Sequence, residues 1–533
     1  MNLGIFFSKC DGIVGTSLDL ESLAKAYEDF SSVKIFDNFY NTDDFDSLLS
    51  EVEKKSLDAL ILAGDSPLTY RHRRNGGHIF KRLSEKGVNR NRIELVNLKN
   101  MVAMPHQATQ EELQLKAKLL TDMAIERVIC SREVSSVEIS PRKSVAVIGA
   151  NLSSIAASQL FLDEGYKVYL IHEGNRIHLN HEESVHIRPT LAYLLHHPRF
   201  FMFNEALVKD FYGFTGDYTL KVSSKEKDTI LSVGAVVLSL ENDHKLIRAS
   251  QLTFYTDIDE EGFLLPRDEI SARSHTENRG IFIIKSSENG QNEISHKFLA
   301  ADAAAAMVIN LLNKKELFHR VTMSQVNTDL CSGCGACMKA CVFNAVSFQG
   351  DPLVPVIDPR RCRGCGNCVI ACPANAIDLL VCPNNYLFNA VDILAQFKPK
   401  DNAPLVLAIA CNGYGYQSLD QAGKLGLTWA VGVMPLWVVC GCQIDMQLVM
   451  HAFFRGFDGV VMLICGEGCC HNIIGNVELE RRVNLFREIL ASRGIDHRRV
   501  HIISTCSRKG DHCVESINQF YEELRGKRAE SRD

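Results

Sequence analysis

Two stretches, CSGCGACMKAC (331–341) and CRGCGNCVIACP (362–373), repeat one spacing of four cysteines. Two-residue gaps let a looping backbone bring three thiolates to one iron–sulfur cubane. The chain then turns into a helix, so the fourth ligand must come from the other run. The spacing therefore predicts two [4Fe–4S] clusters with crossed ligation. Cys331, Cys334, Cys337 and Cys372 would hold one, and Cys362, Cys365, Cys368 and Cys341 the other. Pro373 follows the last cysteine as this motif expects, whereas Val342 follows Cys341. Two plainer readings compete. Zinc ribbons want four ligands in two pairs, not two sets of three plus one. A disulfide framework fits poorly with an odd total of 19 cysteines and with an N-terminus, MNLGIFFSKCDG, whose apolar run reads as too short for a signal peptide.

A chain of 533 residues has room for about three or four domains. Hydrophobic and charged contents of 46% and 23% are those of soluble globular material. The net charge of −6 argues against a nucleic-acid surface. Many cysteines without disulfides suit a reducing compartment, so a cytoplasmic location is expected. From Leu425 to Ile444 there is no charged residue, which is long enough to span a bilayer. Gly426, Gly432, Pro435 and Gly441, with Cys440 and Cys442, make it read instead as a turn and a buried strand, and no transmembrane span is expected. Trp429 and Trp437 lie in this stretch and suggest contact with a membrane-bound partner rather than insertion.

Working outward from the cysteine runs, a two-cluster ferredoxin module is expected at 322–383. Residues 1–140 read as an alternating α/β domain, with strand-like runs at Leu3–Phe7, Ala59–Ala63 and Ile93–Leu98 and a long helix from Gln110 to Arg127. Residues 143–315 begin as a dinucleotide-binding βαβ unit. The strand Ser144–Ile148 runs into Gly149, a helix follows, and a second strand, Lys167–Ile171, leads to Glu173. Its turn, GANLSS (149–154), keeps only the first of three fingerprint glycines, so a scaffold that no longer binds nucleotide competes with a flavin site. Further strands are expected at Gly234–Leu240 and Gly280–Lys285, and a closing helix at Ala300–Leu312. The fold class expected is multidomain α/β, with Rossmann-like α/β domains and an inserted α+β ferredoxin module.

The last domain, 403–526, alternates strand and helix. Val406–Ala410 leads into Cys411, Trp437–Val439 into Cys440, and Val460–Ile464 into Cys465, while Cys470 lies five residues further on. In an open parallel sheet the carboxyl ends of the strands lie on one edge, where cofactors bind. Cys411, Cys440, Cys465 and Cys470 would suffice for one [2Fe–2S] cluster, with Cys442 and Cys469 as substitutes; buried free thiols are the plainer reading. The first and last domains also resemble each other. LDALILAGDSP near residue 57 parallels FDGVVMLICGEG near 457, and the stretch from Phe80 parallels that from Phe486. Cys10 is matched with Cys411, and the first domain is read as a copy without a cluster.

These motifs carry a family resemblance. LGIFFSKCDGI, IELVNLKNMVAMPHQAT and SVAVIGANLSSIAASQLFLDEGYKVYLIHEG resemble the A-type subunit of heterodisulfide reductase. CGCQID, FDGVVMLICGEGCCHNIIGN and ERRVNLFREIL resemble the delta subunit of methyl-viologen-reducing hydrogenase, and the fusion is similar to the B-type subunit of quinone-interacting membrane-bound oxidoreductase. The resemblance implies FAD in the Rossmann-like part, with Gly149, Asn151 and Glu173 left to contact it. It also implies ferredoxin cubanes and a [2Fe–2S] centre on the same four C-terminal cysteines. The expected function is an electron-transfer subunit of an oxidoreductase complex; the alternative is a flavoenzyme that transfers hydride or bifurcates electrons itself. No catalytic residue stands out. Partners would be heterodisulfide reductase-like, hydrogenase or dehydrogenase, or membrane quinone-linked subunits, and any membrane association would run through them.

Overall fold

The computed structural model describes residues 1–71, 79–132, 134, 136–225, 227–239, 257–258, 264–265, 276, 280–284, 294–320, 323–350, 353–466, 470–506 and 509–530. The chain divides into two compact units, Met1–Val134 with Thr322–Asp533, and Ser135–Val321.

In the first unit, two parallel four-stranded sheets share one strand order. The N-terminal sheet is built from Leu3–Ser8, Ser32–Phe36, Ala59–Gly64 and Ile93–Asn97, ordered second, first, third, fourth. The C-terminal sheet, from Val406–Cys411, Val433–Val438, Gly459–Cys465 and Val500–Thr505, has the same order. The two inner strands of each are apolar and buried along their whole length, as strands covered on both faces must be. Burial of each such Leu, Ile or Val contributes roughly 1.5–3 kcal/mol.

The register fixes which residues correspond. Leu3 pairs with Ala59 as Val406 pairs with Gly459, and Gly4 pairs with Ser32 as Leu407 pairs with Met434. Asp58 accepts from the amide of Asn2 at 2.9 Å just as Asp458 accepts from that of Leu405 at 2.8 Å. Counting from these anchors, Ser8, Asn38 and Asp65 occupy the positions of Cys411, Cys440 and Cys465. This corrects the pairing of Cys10 with Cys411: Cys10 lies two residues beyond the equivalent position.

Two polar contacts join these α/β layers. Helix Gln110–Cys130 starts with a capping box from Thr109 and Glu112. It carries Lys116 into full burial, where Nζ donates to His106 Nε2 (2.8 Å), Val431 O (3.1 Å) and Val433 O (2.8 Å). Asp420, buried on helix Gly415–Lys424, accepts from Ser66, Asn97 and Asn100. Gly423 on that helix lies so close to Asn100 that a Cβ would strike its carbonyl oxygen. The tryptophans belong to this packing. Trp429 is buried with its ring edge-on to His106, and Trp437 lies under the Arg127 guanidinium at 4.0 Å. Trp429 and half-buried Trp437 are both engaged within the chain.

Residues 323–380 fold as two matching halves. Strand Ser324–Val326 pairs antiparallel with Ile377–Leu379, and Val346–Gln349 with Val354–Ile357. Short helices Ala336–Ala340 and Asn367–Ile370 lie between.

The second unit has a parallel five-stranded sheet. Outward from Ser144–Ile148 run Lys167–Ile171 and Phe200–Phe203 on one side, and Ala235–Leu238 and Ile281–Ile283 on the other, a Rossmann-like order. Helix Ile294–Leu312 packs its Ala301, Ala304, Ala305 and Val308 face against this core. Ala206–Phe214, Asp217–Ser224 and Asp228–Val233 form a separate antiparallel sheet, and Ser136–Ile139 pairs with Leu317–Arg320. Leu240 and Lys285, expected strand ends, lie outside the described residues.

Candidate iron–sulfur centres

The two cysteine loops are held open by backbone that side-chained residues seldom adopt. Gly333, Gly335, Gly364 and Gly366 have φ of 69°, 74°, 63° and 85°, the left-handed region that glycine enters freely. Asn344 and Asn375 repeat one positive φ of 50° after Cys341 and Cys372. The amides of Ala345 and Ala376 then donate to the sulfurs of Cys341 (3.4 Å) and Cys372 (3.3 Å). Such donors stabilise thiolate charge.

The electrostatic neighbours follow the crossed pattern. Cys337 is influenced by Cys331 and Cys372, whereas Cys362 and Cys368 are each influenced by Cys365 and Cys341. Burial raises the Cys337 and Cys362 thiols, and pushes that of Cys368 up to about 12. Cys334 is exposed, and its thiol is lowered by the Ala336 amide and the Ser332 hydroxyl. The first group therefore opens to the outside at Cys334, and exposed Leu330, Met338 and Leu353 accompany it. The second group faces inward.

In the C-terminal domain Cys411, Cys440, Cys465 and Cys470 are all buried at the carboxyl ends of the sheet. The Cys411 and Cys465 sulfurs lie 3.7 Å apart. Two thiolates on one tetrahedral metal, with bonds of about 2.3 Å, stand at about that separation. Cys470 accepts hydrogen bonds from Cys440 and Cys465, which lowers its thiol while theirs rise. Two helix starts point at these sulfurs. The Gly415 amide donates to Cys411 at 3.5 Å, and that of Asn476, in the first turn of Gly475–Ser492, donates to Cys470. A helix N-terminus favours negative charge there.

Glycine is required around this pocket. A Cβ on Gly475 would lie 2.5 Å from the Cys440 sulfur and 2.9 Å from that of Cys470, and one on Gly413 would lie 2.9 Å from that of Cys465. Four converging thiols, amide donors and side-chain-free walls fit a thiolate-bound cluster. Cys469 lies outside the described residues. Among the described residues, no group of three Cys, His, Asp or Glu side chains meets the geometry for a single metal ion.

Sequence reasoning did not reveal the join between the two regions. Gly366 lies against Gln443, where a Cβ would meet Gln443 Cβ at 3.0 Å and Cα at 3.2 Å. Cys442, one residue earlier, lies within hydrogen-bonding reach of both Cys365 and Cys440. The CGCQ spacing marks an unusual density of thiols, but nothing in it names Cys365 as a neighbour.

The expected flavin contacts are differently employed. Asn151 Oδ1 accepts from the Ser154 amide at 2.9 Å, closing a capping box at the start of helix Leu152–Asp163. Asn151 Nδ2 donates to Ser239 O at 2.8 Å, and Ser239 Oγ returns a bond to Asn151 Oδ1 at 2.9 Å. A helix-start amide that would meet a pyrophosphate is thus already satisfied. Gly149 keeps the positive φ (101°) of the turn, and Glu173 is half-buried beyond strand Lys167–Ile171. This turn, filled by its own side chains, does not fit a bound dinucleotide. Among the described residues no helix is long and apolar enough to cross a membrane.

Comparison with known proteins agrees with this arrangement of parts. The family of the methyl-viologen-reducing hydrogenase delta subunit matches residues 406–526, and the 4Fe-4S dicluster domain matches 330–376. The chain is 31% identical over 117 residues to the D-type iron-sulfur subunit of the F420-non-reducing hydrogenase of Archaeoglobus profundus, an alignment covering 22% of this chain and 85% of that protein. It is 30% identical over 240 residues to the A-type subunit of the ferredoxin:CoB-CoM heterodisulfide reductase of Methanosarcina mazei, covering 44% of this chain and 29% of that protein. The chain thus spans under a third of that relative's length. Among solved structures, an oxidoreductase from Agrobacterium tumefaciens aligns over 32% of this chain and 99% of its own, at 10% identity and a TM-score of 0.25, too remote a likeness to bear on function. The chain belongs, through its C-terminal domain, to the methyl-viologen-reducing hydrogenase delta subunit family, and it joins that domain to a 4Fe–4S dicluster domain and to sequence homologous to the A-type subunit of heterodisulfide reductase.

Proposed function

We propose that this chain is an electron-transfer subunit of a heterodisulfide reductase- or hydrogenase-like oxidoreductase complex, relaying electrons through two [4Fe–4S] clusters and one [2Fe–2S] cluster. Iron–sulfur clusters supply one-electron transfer at potentials set by charge, hydrogen bonding and burial. Cys331, Cys334, Cys337 and Cys372 would hold the outward cubane, and Cys362, Cys365, Cys368 and Cys341 the inward one. Cys411, Cys440, Cys465 and Cys470 would hold the [2Fe–2S] centre. The observation that carries the reading is the packing of Gly366 onto Gln443, which sets the inward cysteine group against the C-terminal one. Exposed Cys334 and its apolar surround leave the other end open to a partner protein.

Rapid-freeze EPR tests this. Protein mixed anaerobically with a substoichiometric low-potential reductant should show the electron redistributing between cubane and [2Fe–2S] signals within one chain. Centres that reduce independently, with no redistribution, would overturn the relay. The flavoenzyme alternative draws on the Rossmann-like sheet order. The self-capped turn at Asn151 counts against it, and FAD at one equivalent per chain after anaerobic purification would restore it.

A further inference from the structure

His172 follows strand Lys167–Ile171 at its carboxyl end and is 3% exposed. Its Nε2 donates to Asn204 Oδ1 at 2.6 Å. An amide oxygen can only accept, so Nε2 carries the proton and Nδ1 keeps its lone pair. That Nδ1 is buried and has no hydrogen-bond partner, a costly state for a polar atom. Burial also holds this imidazole below its usual pKa, in the neutral form. A second imidazole approaches the same place. A Cβ on Gly174 would lie 3.5 Å from His172 Nδ1, 3.6 Å from His178 Nε2 and 3.4 Å from Arg176 O. Two ring nitrogens and a carbonyl oxygen thus surround one point, and the glycine puts no side chain there. The backbone that carries them is fixed. The His172 amide donates to Phe203 O and the Ala206 amide donates to His172 O, both at 3.0 Å. The Glu205 amide donates to Gly174 O at 3.0 Å, and that of His178 donates to Ala150 O at 2.9 Å. His178 is exposed, so water reaches this point.

We propose that His172 Nδ1 and His178 Nε2 form a binding site for a divalent transition-metal ion of the zinc and nickel class, with Arg176 O and water completing its shell. Imidazole nitrogen suits these ions. A ligating histidine almost always donates its other N–H to an oxygen acceptor, which fixes the ring, as His172 does to Asn204. The carboxyl edge of a parallel sheet is also where such folds bind ligands. Both histidines belong to the Ser135–Val321 unit, whereas the cysteine groups belong to the other. The site therefore stands independently of the relay.

The test is Ni2+ binding to untagged full-length protein by equilibrium dialysis, with nickel-edge X-ray absorption to identify the donor atoms. The wild type should hold a Ni2+ ion on nitrogen and oxygen donors. His178→Ala, at an exposed position that leaves the core intact, should abolish this binding. Asn204→Leu, which removes the acceptor that fixes the His172 ring, should weaken it about 10–100-fold. Asn204→Asp, which keeps an acceptor, should retain it. A wild type that binds no Ni2+, that binds it through sulfur alone, or that binds it no better than His178→Ala would overturn the proposal.

Discussion

Ser8, Asn38 and Asp65 stand in the N-terminal sheet where Cys411, Cys440 and Cys465 stand in the C-terminal one. The strand order and the Asp58 and Asp458 anchors are common to both. The strand ends differ in kind. In the first copy Asp65 accepts from Tyr40 at 3.0 Å and pairs with Lys99 at 3.1 Å, while Asn38 donates to Asp11 at 2.8 Å. Polar groups that satisfy one another stand where the second sheet carries thiols. The core therefore maintains the fold by itself, and the strand ends decide the chemistry. The first copy also gives the second a packing partner, through Lys116 and the carboxylate pocket around Asp420.

The contrast breaks most easily at the thiols. Cys465→Ser should remove the [2Fe–2S] EPR signal and about two irons per chain, leaving the cubanes. Retention of that signal would mean that Cys465 is not one of its ligands. Cys372→Ala should remove about four irons, those of the cubane shared with Cys331, Cys334 and Cys337. Loss of the other cubane instead would mean that ligation is not crossed.

The junction between the copies comes next. Lys116→Met leaves His106 Nε2, Val431 O and Val433 O buried without their donor, and should lower unfolding stability by about 3 kcal/mol. Asp420→Ala should cost about 1–3 kcal/mol by stranding the Ser66, Asn97 and Asn100 donors, while Asp420→Asn keeps most of these contacts and costs less. Equal denaturation midpoints for the two Asp420 variants would remove the carboxylate from the account. The smallest effect is expected at Cys10. It is buried against Ser8, and burial raises its thiol to about 12, so Cys10→Ser should leave iron content unchanged. Iron lost with Cys10 would mean that the first copy is not cluster-free.

How far the sequence disclosed this depended on whether the signal was local. The ferredoxin halves follow from spacing, because the first three cysteines of each run lie within seven residues. The C-terminal group follows from apolar runs that each end near a cysteine. The misplaced match of Cys10 came from aligning the one thiol available, and only the strand register exposes the two-residue offset. Lys116 reads as an ordinary solvated helix residue, since lysine is rarely buried. The proximity of Cys442 to Cys365 joins residues 77 positions apart, and no periodicity encodes it.

The central claim is that twelve thiolates hold iron in three groups. Iron and acid-labile sulfide assayed on anaerobically purified full-length protein, with Mössbauer spectra to sort the cluster types, measure it most directly. The account predicts about ten irons per chain, eight in cubanes and two in a [2Fe–2S] centre. Zinc in place of iron, or iron at half that amount, would contradict it.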